Sequence, residues 1–577
     1  MYRENNLKYY NKYEFLNELM VENFNCILIN DLNIQVQEVD EYDEVKTIDE
    51  FSIDYTSDQQ LTIKASNLRS LYYASNYIKE NLETNFNKKL KSSLLVRSYL
   101  LDISRGKIPK ENFIRNLLFY LSSQRINQVY FYIEPNSIVD GEVWLAGFEK
   151  ILIRKIIEFA SKFAIEIIPA VSSFSHLYDL TTKYKEIQDT TAVKYLNREF
   201  YFLDRLNHYT LDPLNDNSWK YTKAILDFAT ENFKSKIINI GCDEPYDLYT
   251  KEFIRKVKFA DIGEIYFNYV NKIINYILEK NKEPMIWGHA IVDNEDNYFI
   301  LEKLDKKVKI ANCNYHSYPE LKQFELVDRN GFEQILCGSD LTFENIFSSY
   351  SNASLNILSL YNLSKRLSFC KGLMVTHWGD FGHINSIIQG LLVVKKFNLL
   401  AFNQERPKIN DESWLIYLSL CHDEVIPYSE IIRWWEEEKL EPEYTINKEK
   451  RTKLFKELSS YDSAQSISEN SDKVDWLIKN KYKINWLPKY FVGVLLEELD
   501  IYKEFLYLNN ILILKIKKHY YSLKHVIEET DFINLRKMVN DTFDKFESKL
   551  DNYYNCGELG NLRWAYLKLI NTIEKIG

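Results

Sequence analysis

IINIGCDEPYDL, residues 237–248, joins a short β-branched run to two adjacent carboxylates. Ile237, Ile238 and Ile240 stop at Gly241, and Asp243 and Glu244 follow directly. A brief apolar run closed by glycine reads as a buried parallel strand. Acids just past such a strand are costly to hold unless they are paired or used. Taken alone, the pair reads equally well as a loop that caps a helix or meets solvent. What favours a functional reading is that the same arrangement recurs along the chain.

Apolar, strand-like runs occur at Ser98–Asp102, Gln128–Ile133, Ile165–Ala170, Ile237–Ile240, Pro284–Trp287, Val308–Asn312, Gln334–Cys337 and Gly372–Thr376. Most gaps between them carry helical periodicity. Leu152, Ile156, Phe159 and Phe163 form one stripe, and Phe267, Val270, Ile274 and Ile277 another. Residues 313–333 read as mostly irregular. Strands alternating with helices over about 300 residues predict a (β/α)8 TIM barrel. A doubly wound open sheet is the competing α/β fold, but no GxGxxG turn follows any strand.

Two regions flank the barrel, which is expected over residues 91–400. Residues 1–90 read as a small α/β domain: CILIN, FSIDY and QLTIKA are strand-like, and Asn67 is placed to cap a helix LRSLYYASNYIKENLE. Beyond residue 400 strand signals stop. SWLIYLSL, YSEIIRWWEEEKL, YFVGVLLEELDIYKEFLYLNNIL and FINLRKMVNDTFDKFESKL predict a helical C-terminal domain over 401–577. The serine-rich segment Ser459–Lys473 reads as an exposed connection, and Trp434–Trp435 with the following glutamates as an amphipathic helix face.

Composition narrows the class of function. The formal net charge of -10 makes a nucleic-acid backbone a poor partner. Seven dispersed cysteines with no CxxC pair predict reduced thiols rather than a disulfide framework or a zinc finger. The N-terminus MYRENNLKYYNKYEF lacks the apolar core of a signal peptide, and no apolar run reaches membrane-spanning length. The expectation is a soluble, cytoplasmic protein without a membrane partner.

In a barrel, chemistry gathers at the C-terminal ends of the strands. Those ends supply Asp102 and Arg105, Glu134, the SSFSH run ending in His176, Asp243 and Glu244, Trp287 and His289, Asn314, Tyr315 and His316, then His377, Trp378 and Asp380. Acids, histidines and large aromatics on one rim suit a sugar, whose C–H faces stack on rings while polar groups read its hydroxyls. Each residue also has a structural reading: a lone tryptophan at a strand end is commonly packing, and a lone histidine commonly a hydrogen-bonded support. His377, Asp380 and His383 in HWGDFGH could suggest a metal, but no second cluster supports one; no metal or other cofactor is expected.

RSYLLDISRGKIP, NQVYFYIE, IEIIPAVSSFSH, IINIGCDE and THWGDFGH, in that order, resemble family 20 glycoside hydrolases, the β-N-acetylhexosaminidases. The resemblance spans about residues 55–400. It implies exo-acting removal of terminal GlcNAc or GalNAc by substrate assistance, in which the sugar's own 2-acetamido oxygen attacks the anomeric carbon. Matched by position, it implies Glu244 as general acid and Asp243 as the group that orients the acetamide nitrogen. It further implies Arg97 and Asp380 on sugar hydroxyls, Trp287 and Trp378 as pocket walls, Tyr315 on the acetamide oxygen, and Glu134 and His176 as supports. Asp102 and Arg105 read as a structural pair. The sequence departs from the pattern at His289, Pro245 and Phe343, which bears on substrate preference. The alternatives are another β-glycoside or a modified amino sugar, or a sugar-binding barrel without turnover.

Overall fold

The computed structural model describes residues 31–36, 46–58, 60–81, 86–194, 199–404, 418, 427–439, 463–484, 486–521 and 532–576. The expected strand CILIN and nearly all of the expected helix SWLIYLSL lie outside these residues. Four strands, β1 (Asp31–Val36), β2 (Glu50–Tyr55), β3 (Gln60–Ala65) and β4 (Phe86–Lys91), form a sheet ordered β1-β3-β2-β4. The helix Leu68–Glu80 packs on it, and the Asn67 side chain accepts the Ser70 N–H at 2.7 Å as the N-cap.

The barrel is closed and parallel. Its strands are β5 (Val96–Asp102), β7 (Gln128–Ile133), β10 (Glu166–Val171), β11 (Ile237–Asn239), β12 (Glu283–Trp287), β13 (Lys309–Cys313), β14 (Gln334–Ser339) and β15 (Cys370–His377), and β15 pairs with β5 to close the ring. Between them lie a short strand β6 (Lys107–Pro109) and a hairpin of β8 (Ser137–Val139) and β9 (Glu142–Trp144). Alternate residues fill the lumen: Leu100, Tyr130, Tyr132, Ile168, Ala170, Met285, Trp287, Ala311, Ile335 and Met374 make one buried cluster. Their strand neighbours, such as Leu101, Phe131, Ile286 and Leu336, belong to the larger core shared with the helices. Burial on both faces explains why these strands read as nearly continuous apolar runs. All eight predicted strands are present, each within two residues of its expected ends.

Two helices lie where the sequence carries no helical signal. The mostly irregular 313–333 segment does hold one short helix, Lys322–Arg329, which buries Phe324 and Val327. The serine-rich stretch is not a loop: Ser463–Lys479 is one helix, with Val474 and Leu477 in the core. Serine is only mildly unfavourable in a helix, and packing at i, i+3 spacing overrides it.

The C-terminal helices are built into the barrel. β16 (Tyr554–Cys556) pairs antiparallel with β6. Lys107 on β6 and Glu498 on the helix Lys489–Tyr521 form a fully buried ion pair at 3.1 Å, and the Tyr554 hydroxyl reaches the same carboxylate at 3.2 Å. No helix among the described residues is long and apolar enough to cross a membrane.

The N-terminal sheet is fastened to the other end of the barrel through Arg97. This side chain is 1 % exposed, pairs with Asp49, and donates Nε to the Arg125 carbonyl at 2.8 Å and Nη1 to the Leu94 carbonyl at 2.9 Å. Burial pushes the Asp49 carboxyl up, but Arg69 and Arg97 together hold it below its usual range. Arg97 is the second residue of β5 and therefore lies toward the N-terminal face of the barrel, away from the rim. It does not belong to a sugar site, contrary to the role implied by resemblance. Arg97→Met leaves the buried Asp49 with Arg69 as its one remaining cation, so a loss of about 1.5–3 kcal/mol, the worth of a hydrogen bond to a charged group, is expected in a denaturant titration. The KM for sugar, measured well below the melting temperature, stays at the wild-type value.

Candidate active site

The carboxylate pair sits on a backbone bent away from ordinary geometry. Gly241, Cys242 and Glu244 have φ of 72°, 67° and 45°. At Gly241 a Cβ would fall 2.8 Å from the Val171 carbonyl, so glycine is required for the turn. Left-handed conformations at Cys242 and Glu244 persist only where the surroundings hold them. They are held: the Ser173 hydroxyl donates to the Ile240 carbonyl at 2.6 Å, the Ser175 hydroxyl to the Asp243 carbonyl, and the Tyr266 hydroxyl to the Cys242 carbonyl at 2.6 Å. The SSFSH loop after β10 thus clamps the loop after β11.

The two acids have different surroundings. The Asp243 side chain is 13 % exposed, and its carboxyl is pushed up to about 6, chiefly by burial, against the pull of its own backbone N–H and of Arg105. Glu244 is more open, at 38 %, and is pushed up to about 7 by desolvation and then by the Asp243 charge beside it. Tyr246 hydrogen-bonds the Glu244 carboxyl from two residues on. His176 places Nε2 3.5 Å from Glu244 and 3.8 Å from Asp243. Burial, with Arg105 and Arg205 nearby, drives its pKa down to about 3, so it faces the acids as a neutral ring. At neutral pH this leaves Asp243 ionised and Glu244 poised between acid and base.

Beside the pair is an aromatic box. Trp378 meets Trp287 at 5.6 Å between ring centroids and 62°, and Tyr132 at 5.0 Å and 79°. Trp378 Nε1 donates to the Tyr315 hydroxyl at 2.9 Å, and Tyr315 packs on Phe343 at 6.0 Å. Phe343 therefore keeps an aromatic wall in place. Trp287 is 1 % exposed, and its indole N–H makes no hydrogen bond among the described residues.

On the far side of Trp378 lies a charged cluster. Arg105 stacks over Tyr132 and Trp378 at 4.8 and 5.3 Å from the ring centroids. Its Nε is 2.7 Å from Asp102 and 3.5 Å from Glu134, and its Nη1 is 2.5 Å from Asp380. The expected Asp102–Arg105 pair exists, but it stands on the rim and not merely at the base of a loop. Arg105, expected at a strand end but read only as the structural partner of Asp102, also touches the aromatic box and two further rim acids. The signal was available, since SRG follows directly on the C-terminal end of β5. His289 opens a short helix after Trp287, within charge range of both Glu244 and His176.

HWGDFGH divides between two environments. His377 is fully buried, with Nδ1 2.7 Å from Asp340 and Nε2 2.8 Å from His383 Nε2, while Asp380 turns to Arg105. Among the described residues no group of three or more His, Cys, Asp or Glu side chains is arranged to hold a metal.

The structure therefore brings together Asp243, Glu244, His176, Glu134, Trp287, Tyr315, Trp378 and Asp380 on one rim, and sets Arg97 apart. An eight-stranded barrel with acids, aromatics and an arginine on its C-terminal rim defines a glycoside hydrolase domain. Residues 140–375, which include five of the eight barrel strands and most of a sixth, match the glycosyl hydrolase family 20 catalytic domain. The fold is similar to the family 20 exo-β-N-acetylglucosaminidase of Vibrio harveyi, at 14 % identity and TM-score 0.51 over 71 % of each chain. The family 20 β-N-acetylhexosaminidase of Streptomyces coelicolor A3(2) is similar at 12 % identity and TM-score 0.50, over 71 % of this chain and 88 % of that one. A lacto-N-biosidase of Bifidobacterium bifidum is 25 % identical over 155 residues, which are 25 % of this chain and 13 % of that protein.

Proposed function

We propose that the protein is an exo-acting β-N-acetylhexosaminidase that removes terminal GlcNAc or GalNAc with retention, using the substrate's own acetamide as nucleophile. The observation that carries this reading is the adjacent Asp243–Glu244 pair, with carboxyls pushed up to about 6 and about 7, beside the Trp287–Trp378–Tyr315 box. An ordinary retaining pair faces across the scissile bond from separate elements, about 5–5.5 Å apart. Neighbours in sequence are poorly placed for that, but well placed to serve one leaving group and one internal nucleophile.

In this mechanism Glu244 gives its proton to the glycosidic oxygen as the C1–O bond breaks. The acetamide oxygen bonds to C1 and forms a cyclic oxazolinium, whose N–H donates to ionised Asp243. Glu244, now a carboxylate, takes a proton from water as that water opens the ring at C1. The proton count is restored and the configuration retained. Neutral His176 steadies both acids without adding charge. The indoles of Trp287 and Trp378 and the Tyr315 hydroxyl confine the acetamide against C1. Arg105 and Asp380, rather than Arg97, take the outer hydroxyls. The protein acts in the cytoplasm on an amino-sugar glycoside.

The test is hydrolysis of aryl β-GlcNAc, β-GalNAc and β-glucoside by the full chain. Turnover confined to the acetamido sugars, blocked by a thiazoline mimic of the intermediate, is expected. Comparable cleavage of the glucoside would overturn substrate assistance and require a separate nucleophile.

A further inference from the structure

The charged cluster behind Arg105 continues inward as an alternating series and ends in the C-terminal helical region. Glu134 lies between two arginines: one carboxylate oxygen is 3.5 Å from Arg105, the other 2.9 Å from Arg205 Nη2. Arg205 Nη2 is also 3.6 Å from Asp179, and its Nε is 2.5 Å from Glu558. The series thus runs Glu558, Arg205, Glu134, Arg105, Asp380. Arg205 and Glu134 are buried at 3 % and 4 %, and Glu558 at 13 %. Glu558 precedes the helix Leu559–Ile576, and its carbonyl accepts the Leu562 N–H at 3.1 Å. That helix is seated against the active-site loop, with Leu562 packed where a Cβ on Gly382 would stand 3.2 Å away. The neighbouring helix Tyr428–Lys439 grips the same loop, its Tyr428 hydroxyl donating to the Phe381 carbonyl at 2.7 Å.

We propose that Glu558 is a positioning residue for Arg105, so that the C-terminal helices are part of the sugar-binding machinery and not an appendage. The inference rests on the proposed role of the rim. Its physical basis is competition for Glu134. A buried guanidinium needs anionic partners close around it, and groups in one network settle together. With Glu558 in place, its carboxylate faces Arg205 from the Nε side as an ion pair, and Glu134 can serve both arginines. Without that charge Arg205 draws further on Glu134 and Asp179, and the carboxylate leaves Arg105. Arg105 then keeps only Asp102 and Asp380, and its plane turns relative to Trp378 and Tyr132. Glu558 makes no contact with Asp243 or Glu244, so the damage falls on sugar binding rather than on proton transfer.

The experiment compares wild type, Glu558→Gln and Glu558→Asp as full chains. It measures kcat and KM on an aryl β-GlcNAc, calorimetric binding of the thiazoline inhibitor, and thermal melting. For Glu558→Gln we expect KM and the inhibitor Kd to rise about tenfold, the size of one weakened charge-assisted contact, with kcat within about twofold of wild type. Glu558→Asp, which keeps the charge, recovers part of that loss. A Glu558→Gln enzyme with wild-type KM and Kd overturns the inference alone, whatever its melting temperature. A fall in kcat at unchanged KM does so too. A wild type that neither binds nor cleaves acetamido sugars overturns the functional reading, and this inference with it.

Discussion

Glu244→Gln is expected to lower kcat on an aryl β-GlcNAc by about 10²–10⁴, the usual worth of a placed general acid, with KM little changed. The substitution is nearly isosteric, and the side chain is 38 % exposed, so no cavity forms. What disappears is the proton. The Glu244 carboxyl is pushed up to about 7 by burial first and by Asp243 second. A raised folded pKa means that the acid form dominates below about 7 and is lost as pH rises through that value. Wild-type kcat/KM therefore falls on the alkaline side with a midpoint near 7, and Glu244→Gln loses that limb. The effect also scales with the leaving group. A dinitrophenol departs with little help, so its glycoside suffers far less than an alkyl or sugar glycoside. A uniform loss across leaving groups would contradict the role of Glu244 as acid. No loss at all would remove the reading altogether.

How much of this could be read from the chain depended on which physical signal each feature leaves in sequence. The barrel strands were legible because burial on both faces imposes short β-branched runs, and because each run stops where a polar rim residue begins. Boundaries drifted where a turn borrows an apolar residue: Ile240 belongs to the turn after β11, not to the strand. The Asp243–Glu244 pair was legible because its position just past a buried strand is costly to maintain for no purpose. The two arginines stand at opposite ends of the barrel, the reverse of what the resemblance implies. Arg97 precedes most of its strand, and the direction of a parallel barrel places such a residue at the bottom. There it meets Asp49 at the end of a loop 48 residues earlier. Arg105 follows its strand and stands on the rim, but its partners Glu134 and Asp380 come from other strand ends. The contact between Arg205 and Glu558 leaves no local trace, since the two residues are far apart in the chain and only tertiary packing joins them.

Asp243→Asn is expected to reduce kcat/KM by about 10²–10³, in the range found when one preorganised electrostatic contact to a developing charge is removed. The asparagine can still hydrogen-bond the acetamide N–H through its oxygen, so binding survives better than turnover. The missing contribution is charge, which matters only as the oxazolinium cation forms. The Asp243 carboxyl is pushed up to about 6, chiefly by burial, while its backbone N–H and Arg105 draw it down. Its useful form is the ionised one, present above about 6 and lost as pH falls through that value. Wild type therefore has an acid limb near 6 and an alkaline limb near 7, enclosing a narrow optimum. In Asp243→Asn the acid limb vanishes, and the alkaline limb set by Glu244 remains but moves to lower pH, because the Asp243 charge no longer raises that carboxyl. A chemical probe separates this from a general loss of fold. Fluorine substitution on the N-acetyl methyl weakens the carbonyl oxygen as a nucleophile, so wild-type rates fall steeply from acetyl to trifluoroacetyl. A flat response in wild type would show that the acetamide does not attack. Asp243 would then be a structural acid, and the partner of Glu244 would have to be sought elsewhere on the rim, with Glu134 and Asp380 first in line because both stand beside the same arginine.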